Sequence, residues 1–284
     1  MGIVVAIIAQ GTMGAGVGRR LSESGATVRT LLAGRSAQSA ERARAAGMAA
    51  MADERSLLDG ADFFLSILPP GEAESLARRL VPALSGLHKK PIYVDCNAVS
   101  PQTAERIAAI VAPTGAEFVD AGIIGGPPRP GYSPHIYACG PAVAQTAVLR
   151  DWGIDWRPID GPIGAASGLK MSYAGITKGT TAIAAAMLLG AARFGCGEAL
   201  IAELSASQPD MLKRMRGSIP SMYDKAYRWV GEMEEISDFL EANPPSRDMY
   251  AAIARLYAFL AAAEAEQPPS ADNAITTLDG VLGR

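Results

Sequence analysis

The alternation of short apolar runs with helical stretches between Ile3 and Ile159 is the feature that most limits how this chain folds. Runs such as Ile3–Ala9, Asp62–Leu68 and Ile92–Asp95 are rich in β-branched and aromatic residues, and turn-forming or polar residues follow them. The stretches between these runs have the spacing of amphipathic helices. Strands that alternate with helices in this way predict a doubly wound, mostly parallel sheet.

The same pattern predicts further elements of this sheet domain. The other predicted strands are Thr27–Leu32, Glu117–Ile124, His135–Cys139 and Trp156–Ile159. The predicted helices are Gly11–Ser24, Ser36–Ala46, Glu72–Leu84, Pro101–Val111 and Pro141–Arg150.

Beyond Gly161 the pattern predicts helices only. Long helical stretches cover residues 164–204, 222–242 and 247–266, and a short helix is expected after Pro269. We therefore predict two domains: an α/β Rossmann domain over residues 1–161, and an all-helical substrate and dimerisation domain over residues 162–284.

Composition excludes several classes of function. The chain has two histidines and three widely spaced cysteines, so it lacks the patterns of a zinc site, a disulfide framework or a Ser-His-Asp triad. The 26 basic and 29 acidic residues nearly balance, which argues against a nucleic-acid-binding protein. The chemistry is therefore expected to come from a bound cofactor, in a reducing, cytoplasmic compartment.

Neither apolar segment of note has the features of a membrane or targeting segment. Met1–Ala9 has no basic region before it, and no small-residue cleavage site follows it. The uncharged run between Lys178 and Arg193 is shorter than the roughly 20 residues that span a bilayer. No membrane partner is expected.

The segment AIIAQGTMGAGVGRRL joins the first predicted strand to the first helix and is rich in glycine. In the register of a dinucleotide fingerprint, G-x-G-x-x-G, its three key positions are Ala9, Gly11 and Gly14. Gly11 would let the backbone approach a pyrophosphate at the helix N-terminus, and Gly14 would permit close helix–sheet packing. Ala9 replaces the first glycine, so an ordinary glycine-rich turn is the alternative.

The end of the second strand, LLAGRSAQS, lacks the acidic residue that NAD-preferring sites use to bond the ribose hydroxyl. Arg35 and Ser36 stand there instead, and a guanidinium with a hydroxyl suits a 2′-phosphate. The sequence thus favours NADP over NAD. The alternative is that Arg35 is a solvated loop charge.

Five stretches, in order along the chain, resemble the β-hydroxyacid dehydrogenases and their larger relative 6-phosphogluconate dehydrogenase. They are AQGTMGAGV, SILPP, VDCNAVSP, VDAGIIGGPP and GAASGLKMSYAGITKG. The C-terminal third resembles this family only as an all-helical domain, and is more similar to a poorly characterised bacterial subgroup. The resemblance implies a nicotinamide-dependent oxidoreductase.

The resemblance also implies a role for each matching position. The residues implied to contact the cofactor are Gly11, Thr12, Met13 and Gly14 at the pyrophosphate, Leu68 and Pro69 on the adenosine side, and Asn97 near the nicotinamide. Gly125 and Gly126 match a pair whose backbone N–H groups hold the substrate's acid group. Lys170 matches the catalytic lysine.

The sequence departs from the family pattern at positions where the family contacts its substrate. Ile124 replaces a serine that would contact a carboxylate, and Ala174 replaces an asparagine four residues after the lysine. Tyr173 stands where 6-phosphogluconate dehydrogenase has a histidine. Two polar substrate contacts are therefore missing, which indicates a bulkier or less polar substrate.

Helical spacing supports a catalytic role for Lys170 independently of the family resemblance. Tyr173, Ala174 and Thr177 follow Lys170 by three, four and seven residues, so a helix would place all four on one face. Lys170 and Tyr173 are the predicted catalytic residues of this face, and Thr177 is a predicted substrate contact. A lysine with a lowered pKa takes the proton of an alcohol, and a nearby tyrosine donates a hydrogen bond to the same oxygen. Without its context, Lys170 would be a surface lysine. Lys178 is interpreted as a solvated residue or one at the substrate rim.

Further residues concern assembly. Met222, Ala226, Trp229, Met233, Ile236 and Leu240 recur at helical spacing, which predicts either a buried helix face or a dimer seam. Tyr223, Tyr227 and Arg228 flank this stripe and are further candidates for the cleft. We expect a homodimer that acts on a small molecule.

Three functions are consistent with these patterns. The leading one is an NADP-dependent oxidoreductase that acts on a hydroxyl or carbonyl group, with Lys170 as acid/base. An imine reductase is the first alternative; such enzymes usually lack the lysine, although Tyr173 suits them. A catalytically silent NADP-binding protein is the second, because Ala9, Ile124 and Ala174 depart from the family pattern.

Overall fold

The computed structural model describes residues 2–8 and 11–266, so Ala9 and the predicted helix after Pro269 lie outside the described residues. The chain divides into two compact units, Met1–Met171 and Ser172–Arg284. The first unit carries the sheet and the second carries helices.

The described part of the first unit contains an eight-stranded sheet with the order β3-β2-β1-β4-β5-β6-β7-β8. Neighbouring strands are parallel except for β6 and β7, which pair antiparallel. The predicted doubly wound, mostly parallel sheet is confirmed. The strands are β1 (Val4–Ile8), β2 (Thr27–Leu31), β3 (Ala49–Met51), β4 (Phe63–Ser66), β5 (Ile92–Asp95), β6 (Phe118–Ile124), β7 (His135–Cys139) and β8 (Asp155–Pro158).

Both faces of the sheet are apolar, which explains why the strand sequences are continuous apolar runs. In β1, Val5 and Ile7 pack into one core, whereas Ala6 and Ile8 pack into a second core. Because successive strand residues point to opposite faces, each run must be apolar throughout.

Helices connect the strands and make up the described part of the second unit. The helices are α1 (Thr12–Glu23), α2 (Ala37–Ala45), α3 (Glu54–Leu58), α4 (Ala73–Ser85), α5 (Pro101–Val111), α6 (Val143–Thr146), α7 (Ala165–Ala174), α8 (Thr180–Arg193), α9 (Gly197–Ser207), α10 (Pro209–Ser218), α11 (Ala226–Phe239) and α12 (Pro244–Glu266). A π-helical turn, Gly175–Gly179, joins α7 to α8. The compact units divide within α7, later than the predicted boundary at residue 161, because the first turns of α7 pack on the sheet.

Several predicted helices differ from the observed ones for local reasons. The single helix expected over residues 164–204 ends at Arg193, and α9 begins only after Gly195, whose φ of +69° is left-handed. The helix expected from Met222 begins at Ala226, because Pro220–Lys225 forms a 3₁₀ turn. The short elements β3 and α3 were not predicted, and neither was α10.

The stripe that begins at Met222 is an internal face of the second unit. Met222, Ala226, Met233 and Ile236 are buried, and α11 packs along α12. Of the two predicted roles for this stripe, the structure therefore supports the buried helix face.

The continuous helical segment Ala165–Arg193 has the length and apolar composition of a membrane span. Of its most apolar 18-residue stretch, 39% is buried. This segment is longer than the uncharged run between Lys178 and Arg193 because it also includes α7 and the π-helical turn. Core helices of globular domains also meet these two criteria.

Candidate active site

The sequence-predicted residues of the first unit lie beyond the carboxyl ends of neighbouring strands. Gly11 follows β1, Arg35 follows β2, Leu68 follows β4, Asn97 follows β5 and Gly125 follows β6. These strands are mutually parallel, so their carboxyl ends meet at one edge of the sheet. The strand order reverses between β1 and β4, which is where open α/β sheets bind ligands.

The glycine-rich turn leaves the N-terminus of α1 open to an anion. Gly11 is the N-cap residue, no side chain caps the helix, and its first turn has no acidic residue. A Cβ at Gly11 would meet no atom within 4 Å. The free N–H groups and the helix dipole together suit a phosphate group. The residues present therefore fit the pyrophosphate of a dinucleotide.

Two other glycines of α1, for which the sequence predicted no role, permit close packing. A Cβ at Gly16 would lie 2.8 Å from Pro128 Cδ, and a Cβ at Gly18 would lie 2.8 Å from Met48 Sδ. These contacts fix α1 against the β6–β7 connection and the segment before β3. Thr12 is exposed, Met13 is half-buried and Gly14 is buried, and their contacts with a cofactor stay predictions.

Arg35 and Ser36 lie at the start of α2, after a left-handed Gly34 with φ of +72°. Arg35 is exposed, and within the described ranges its guanidinium forms no ion pair. The Ser36 side chain caps α2 by accepting a hydrogen bond from the Ser39 N–H at 3.2 Å. Arg35 is thus available to a phosphate, whereas Ser36 already supports the helix.

Asn97 holds the chain that follows β4. Its side chain is buried, its amide oxygen accepts a hydrogen bond from the Leu68 N–H, and its amide nitrogen donates to Ser66 Oγ at 2.9 Å. The same nitrogen donates to the buried Asp95 carboxylate. These bonds hold Leu68 half-buried and Pro69 exposed at the predicted cofactor side. The structure therefore shows Asn97 supporting this segment.

Asp120 anchors α7 to the sheet. Its carboxylate is fully buried and accepts hydrogen bonds from the Gly164 N–H and the Ser167 N–H at 3.0 Å each, and from Ser167 Oγ at 2.6 Å. The Cys139 thiol donates to the same carboxylate at 3.4 Å. Burial, followed by the nearby Asp120 charge, raises the pKa of Cys139 to about 12, so the thiol keeps its proton.

Gly122 brings α7 directly against β6. A Cβ at Gly122 would lie 2.9 Å from the Ala166 carbonyl oxygen and 2.9 Å from Lys170 Cβ. Alternate residues of a strand share a face, so Asp120, Gly122 and Ile124 all point toward the α7 side of β6. Lys170 is therefore fixed beside the carboxyl end of β6.

The Lys170 side chain itself is half-buried. No other described residue forms a hydrogen bond or an ion pair with its ammonium group. No role was predicted from the sequence for Asp120 or Gly122. A lone acidic residue in the apolar run FVDAGII was the available signal, because a buried carboxylate must find donors.

One backbone N–H of the glycine pair after β6 already donates a hydrogen bond within the protein. Gly125 has a left-handed φ of +128°, and the Gly126 N–H donates to the Tyr132 hydroxyl at 3.1 Å. This is one of the two N–H groups predicted to hold a substrate's acid group. Tyr132 was missed in the sequence because it lies in the proline- and glycine-rich connection between β6 and β7.

The predicted residues of the second unit differ in their exposure. Tyr173 is 51% exposed and Thr177 is exposed, whereas Ala174 is buried. Thr177 Oγ1 donates to the Tyr173 carbonyl oxygen at 2.9 Å. The π-helical turn after Ala174 changes the angular spacing that a continuous α-helix would have. Catalytic and substrate-binding roles for Tyr173 and Thr177 stay predictions.

The aromatic and basic residues flanking α11 also differ from one another. Tyr223 is buried, whereas Tyr227 is 66% exposed. The Arg228 guanidinium lies 5.6 Å from the centroid of the Tyr227 ring. Tyr227 and Arg228 are thus accessible on the second unit, and Tyr223 belongs to its interior.

Lys178 is not solvated, so the first of its two interpretations was wrong, and the substrate-rim role stays a prediction. Its side chain is 16% exposed and forms an ion pair with Glu232, and its ammonium lies 5.2 Å from the centroid of the Trp229 ring. The Tyr257 hydroxyl donates to the Lys178 carbonyl oxygen at 2.7 Å. Residues of α11 and α12 thus enclose the π-helical turn, a long-range contact that local spacing does not reveal.

Two family models match different parts of this chain. The family model of the NAD binding domain of 6-phosphogluconate dehydrogenase matches residues 4–149. The chain therefore belongs to this family of NAD-binding proteins. Residues 191–260 match a domain of unknown function, DUF1932.

Curated relatives share part of the chain. An uncharacterized 28.5 kDa protein of Methanothermus fervidus is 30% identical over 55% of this chain and 58% of its own length. The 3-hydroxyisobutyrate dehydrogenase of Pseudomonas aeruginosa is 35% identical over 24% of this chain and 23% of the enzyme. The chain thus aligns with less than two thirds of the length of these relatives.

Solved structures match over nearly the whole chain. The conserved protein MTH1747, of unknown function and structurally similar to 3-hydroxyacid dehydrogenases, has a TM-score of 0.70 and 29% identity over 93% of this chain and 99% of that one. Mycobacterium tuberculosis 3-hydroxyisobutyrate dehydrogenase has a TM-score of 0.73 and 19% identity, covering 100% and 99% of the two chains. An imine reductase from Myxococcus stipitatus has a TM-score of 0.58 and 16% identity, covering 100% and 99%. The chain has the 3-hydroxyacid dehydrogenase fold.

Proposed function

We propose that this protein is an NADP-dependent oxidoreductase that transfers a hydride between the cofactor and a hydroxyl or carbonyl carbon of a small molecule. One observation carries the proposal: α7 packs on β6 so that Lys170 is held at the same sheet edge as the uncapped N-terminus of α1. Membership of an NAD-binding family supports the cofactor class.

The residues of this chain would then handle the proton. A bound nicotinamide supplies or accepts the hydride. In the oxidation of an alcohol, the neutral Lys170 amine takes the hydroxyl proton at Nζ. In the reverse direction, the ammonium donates a hydrogen bond and then its proton to the carbonyl oxygen. The anchoring of α7 by Asp120 keeps Lys170 in position for both steps.

An imine reductase is the second candidate function. It is favoured by the 51% exposed Tyr173, whose hydroxyl is available as a proton donor, and by the similar fold of the Myxococcus stipitatus enzyme. Lys170 favours the first candidate, because an amine general base suits an alcohol substrate. The departures at Ile124 and Ala174 also leave a silent NADP-binding protein as an outcome of the test.

NADPH consumption against a mixed panel of aldehydes, ketones, keto acids and cyclic imines separates these functions. Turnover of carbonyl compounds supports the proposal, and turnover of cyclic imines alone supports the second candidate. Cofactor binding without turnover of any panel member would contradict both enzymatic functions.

The preference for NADP rests on Arg35. Replacing Arg35 with alanine removes a guanidinium that would contact the 2′-phosphate, and charge-assisted hydrogen bonds contribute about 1.5–3 kcal/mol each. We expect NADPH affinity to fall roughly 10- to 100-fold and NADH affinity to stay nearly constant. Dissociation constants of both cofactors, measured by fluorescence titration, check this. Equal binding of both cofactors by the wild type, with no effect of the substitution, would show that the preference was assigned wrongly.

We propose that the protein forms a homodimer through an exposed apolar face of the second unit. Ile183 and Met187 of α8 lie four residues apart and are 54% and 62% exposed. Ile176, in the π-helical turn before α8, and Phe194, directly after α8, are 70% and 84% exposed. Such an exposed apolar stripe is typical of an interface. The stripe at Met222, by contrast, is already buried within the unit.

Charges placed in this stripe should disrupt the dimer. The double substitution Ile183→Glu and Met187→Glu is expected to convert a dimer into a monomer, because it buries two carboxylates at the interface. Light scattering after gel filtration measures the mass. Phe259→Glu, at an equally exposed apolar residue of α12, serves as the control and should stay dimeric. A monomeric wild type, or an unchanged mass of the double variant, would rule out this interface.

We propose a reducing, cytoplasmic location from the state of the cysteines. Cys96, Cys139 and Cys196 are all free in the described part of the chain, as is usual where glutathione keeps thiols reduced. We propose no nucleic-acid partner because the net charge is near neutral. We propose no membrane partner because the Ala165–Arg193 helix is partly buried. Cell fractionation with an antibody to the protein checks this location.

A further inference from the structure

Strands β7 and β8 carry polar side chains on one face of the sheet. We call this surface the β7–β8 polar face, and its members are His135, Tyr137, Asp155 and Arg157. The strands are parallel, and their register places His135 beside Asp155 and Tyr137 beside Arg157. The residues between them, Ile136 and Trp156, are buried in the apolar core on the other face.

Hydrogen bonds join these four side chains to one another. The Asp155 carboxylate lies 2.7 Å from His135 Nδ1, and it accepts from Arg157 Nε and Nη2 at 2.9 Å and 3.2 Å. Arg157 Nη1 donates to the Tyr137 hydroxyl at 3.4 Å, and the guanidinium lies 5.7 Å from the centroid of the Tyr137 ring. The bonds from Arg157 lower the pKa of the Asp155 carboxyl, so this group is ionised at neutral pH. The network therefore fixes the orientation of both rings.

The two rings keep hydrogen-bonding atoms that the network does not use. An ionised carboxylate only accepts, so His135 Nδ1 carries a hydrogen and the ring presents Nε2 to another partner. The Tyr137 oxygen accepts from Arg157, and no acceptor for its O–H is found among residues 2–8 and 11–266. The His135 side chain is 44% exposed, so a ligand reaches it.

The charges of the polar face indicate which kind of group it binds. Arg157 and Asp155 offset each other, so the face offers hydrogen bonds without a net charge when the imidazole is neutral. The Tyr137 O–H donates and His135 Nε2 accepts, and an uncharged hydroxyl group satisfies both because it accepts and donates. A carboxylate would satisfy only the donor, because it has no hydrogen to give to Nε2.

The polar face lies beside Lys170. In the antiparallel pairing of β6 with β7, Tyr137 is opposite Gly122 and His135 is opposite Ile124. Opposite residues point to the same face, so Tyr137 and His135 share the face of Gly122, against which Lys170 packs. Directly opposite residues are about 5 Å apart and diagonal neighbours about 7–8 Å. A molecule at Lys170 therefore needs to extend only this far to reach both rings.

We propose that the β7–β8 polar face binds a hydroxyl group of the substrate, remote from the carbon that exchanges the hydride. The substrate is then an alcohol or carbonyl compound with a second, uncharged hydroxyl group. Tyr137 donates its O–H to the oxygen of this group, and His135 Nε2 accepts its hydrogen. This inference rests on the proposed hydride transfer and specifies its substrate class.

The kinetic test compares an alcohol with a diol of the same chain length. The probes are 1-hexanol and 1,6-hexanediol, whose second hydroxyl reaches the polar face while the first lies at Lys170, and kcat/KM is measured with NADP⁺. Tyr137→Phe removes the phenol hydroxyl but keeps the ring, and His135→Gln removes the imidazole. His88→Gln is the matched control, because His88 is exposed and precedes β5, at the opposite edge of the sheet.

We expect the wild type to prefer the diol by roughly three- to tenfold, as neutral hydrogen bonds provide, beyond the twofold gain from its two equivalent hydroxyls. Tyr137→Phe and His135→Gln should each remove most of this preference and leave kcat/KM for 1-hexanol nearly unchanged. His88→Gln should keep the wild-type preference.

The chain has only two histidines, so binding is also measurable without turnover. The protein is labelled with ¹⁵N-histidine and titrated with 1,6-hexanediol in the presence of NADPH, which does not oxidise the diol. The His135→Gln variant assigns the two imidazole signals. We expect the diol to shift the His135 signal and leave the His88 signal unchanged, with a much smaller effect of 1-hexanol. Tyr137→Phe should weaken the binding of the diol.

These measurements separate the inference from the proposed function. No preference for the diol beyond twofold, a preference that both variants retain, or a His135 signal that the diol does not shift would overturn the hydroxyl site. A shift of the His135 signal that Tyr137→Phe weakens, without turnover of either probe or of any panel compound, would support the hydroxyl site and contradict the hydride transfer.

Discussion

Replacement of Lys170 with alanine should lower kcat/KM by about 10²- to 10⁴-fold, which is the usual contribution of a general acid or base. The side chain lies beside the carboxyl end of β6, and its removal leaves no ammonium at that edge position to exchange the proton. The helix itself should be unaffected, since alanine is the best helix former. The loss should therefore appear in kcat, while the dissociation constant of NADPH stays unchanged.

Lys213→Ala provides the matched control for this experiment. Lys213 is an exposed lysine of α10, so its removal changes the net charge equally without touching the sheet edge. Steady-state kinetics and fluorescence titration of NADPH measure the two properties separately. Full activity of the Lys170→Ala variant would falsify its role as acid/base.

Replacement of Asp120 with alanine should lower the free energy of unfolding by about 3–5 kcal/mol, because several buried donors would lose their acceptor at once and each unsatisfied buried donor costs about 1–3 kcal/mol. The Gly164 and Ser167 N–H groups and the Ser167 hydroxyl would all lose their acceptor. The start of α7 would then lose its attachment to β6. Urea unfolding, monitored by circular dichroism, measures the change.

A graded series checks that the effect arises from these hydrogen bonds. Ser167→Ala removes one bond to the carboxylate and should cost about 1.5–3 kcal/mol. Asp224→Ala, at an exposed position, should change the stability by less than about 0.5 kcal/mol. If Asp120→Ala were as stable as the wild type, the anchoring of α7 would be assigned wrongly.

Most of the sheet could be predicted because its strands are long apolar runs buried on both faces. The bounds of β5 and β7 were predicted without error, since polar or turn-forming residues follow both. The strand β3, Ala49–Met51, was missed because three small or flexible residues give no periodic signal. The break between α8 and α9 was missed because a single Gly195 ends the helix within an alanine-rich segment.

The predictable part of the site follows from the order of the strands. Parallel strands bring Gly11, Leu68, Asn97 and Gly125 to one edge whenever the fold is doubly wound. Contacts between side chains could not be predicted in the same way. Tyr132 reaches the Gly126 N–H only because Gly125 takes a left-handed conformation, and neither fact has a periodic signal in the sequence.

The burial of Lys178 in the second unit is another side-chain contact that could not be predicted from the sequence. Its partner Glu232 belongs to α11, far along the chain, and Lys178 itself lies in a π-helical turn. Helical spacing describes neighbours within one helix. It contains no information on which distant carboxylate a lysine will meet.

The transfer of deuterium from NADPH that carries deuterium at both hydrogen positions of nicotinamide C4 tests the central claim most directly. The protein is incubated with the labelled cofactor and each carbonyl compound of the panel, and the products are analysed by mass spectrometry and NMR. The proposed function predicts a product that carries deuterium on the former carbonyl carbon, formed by the wild type and not by the Lys170→Ala variant. Binding of the labelled NADPH without deuterium in any product would contradict it.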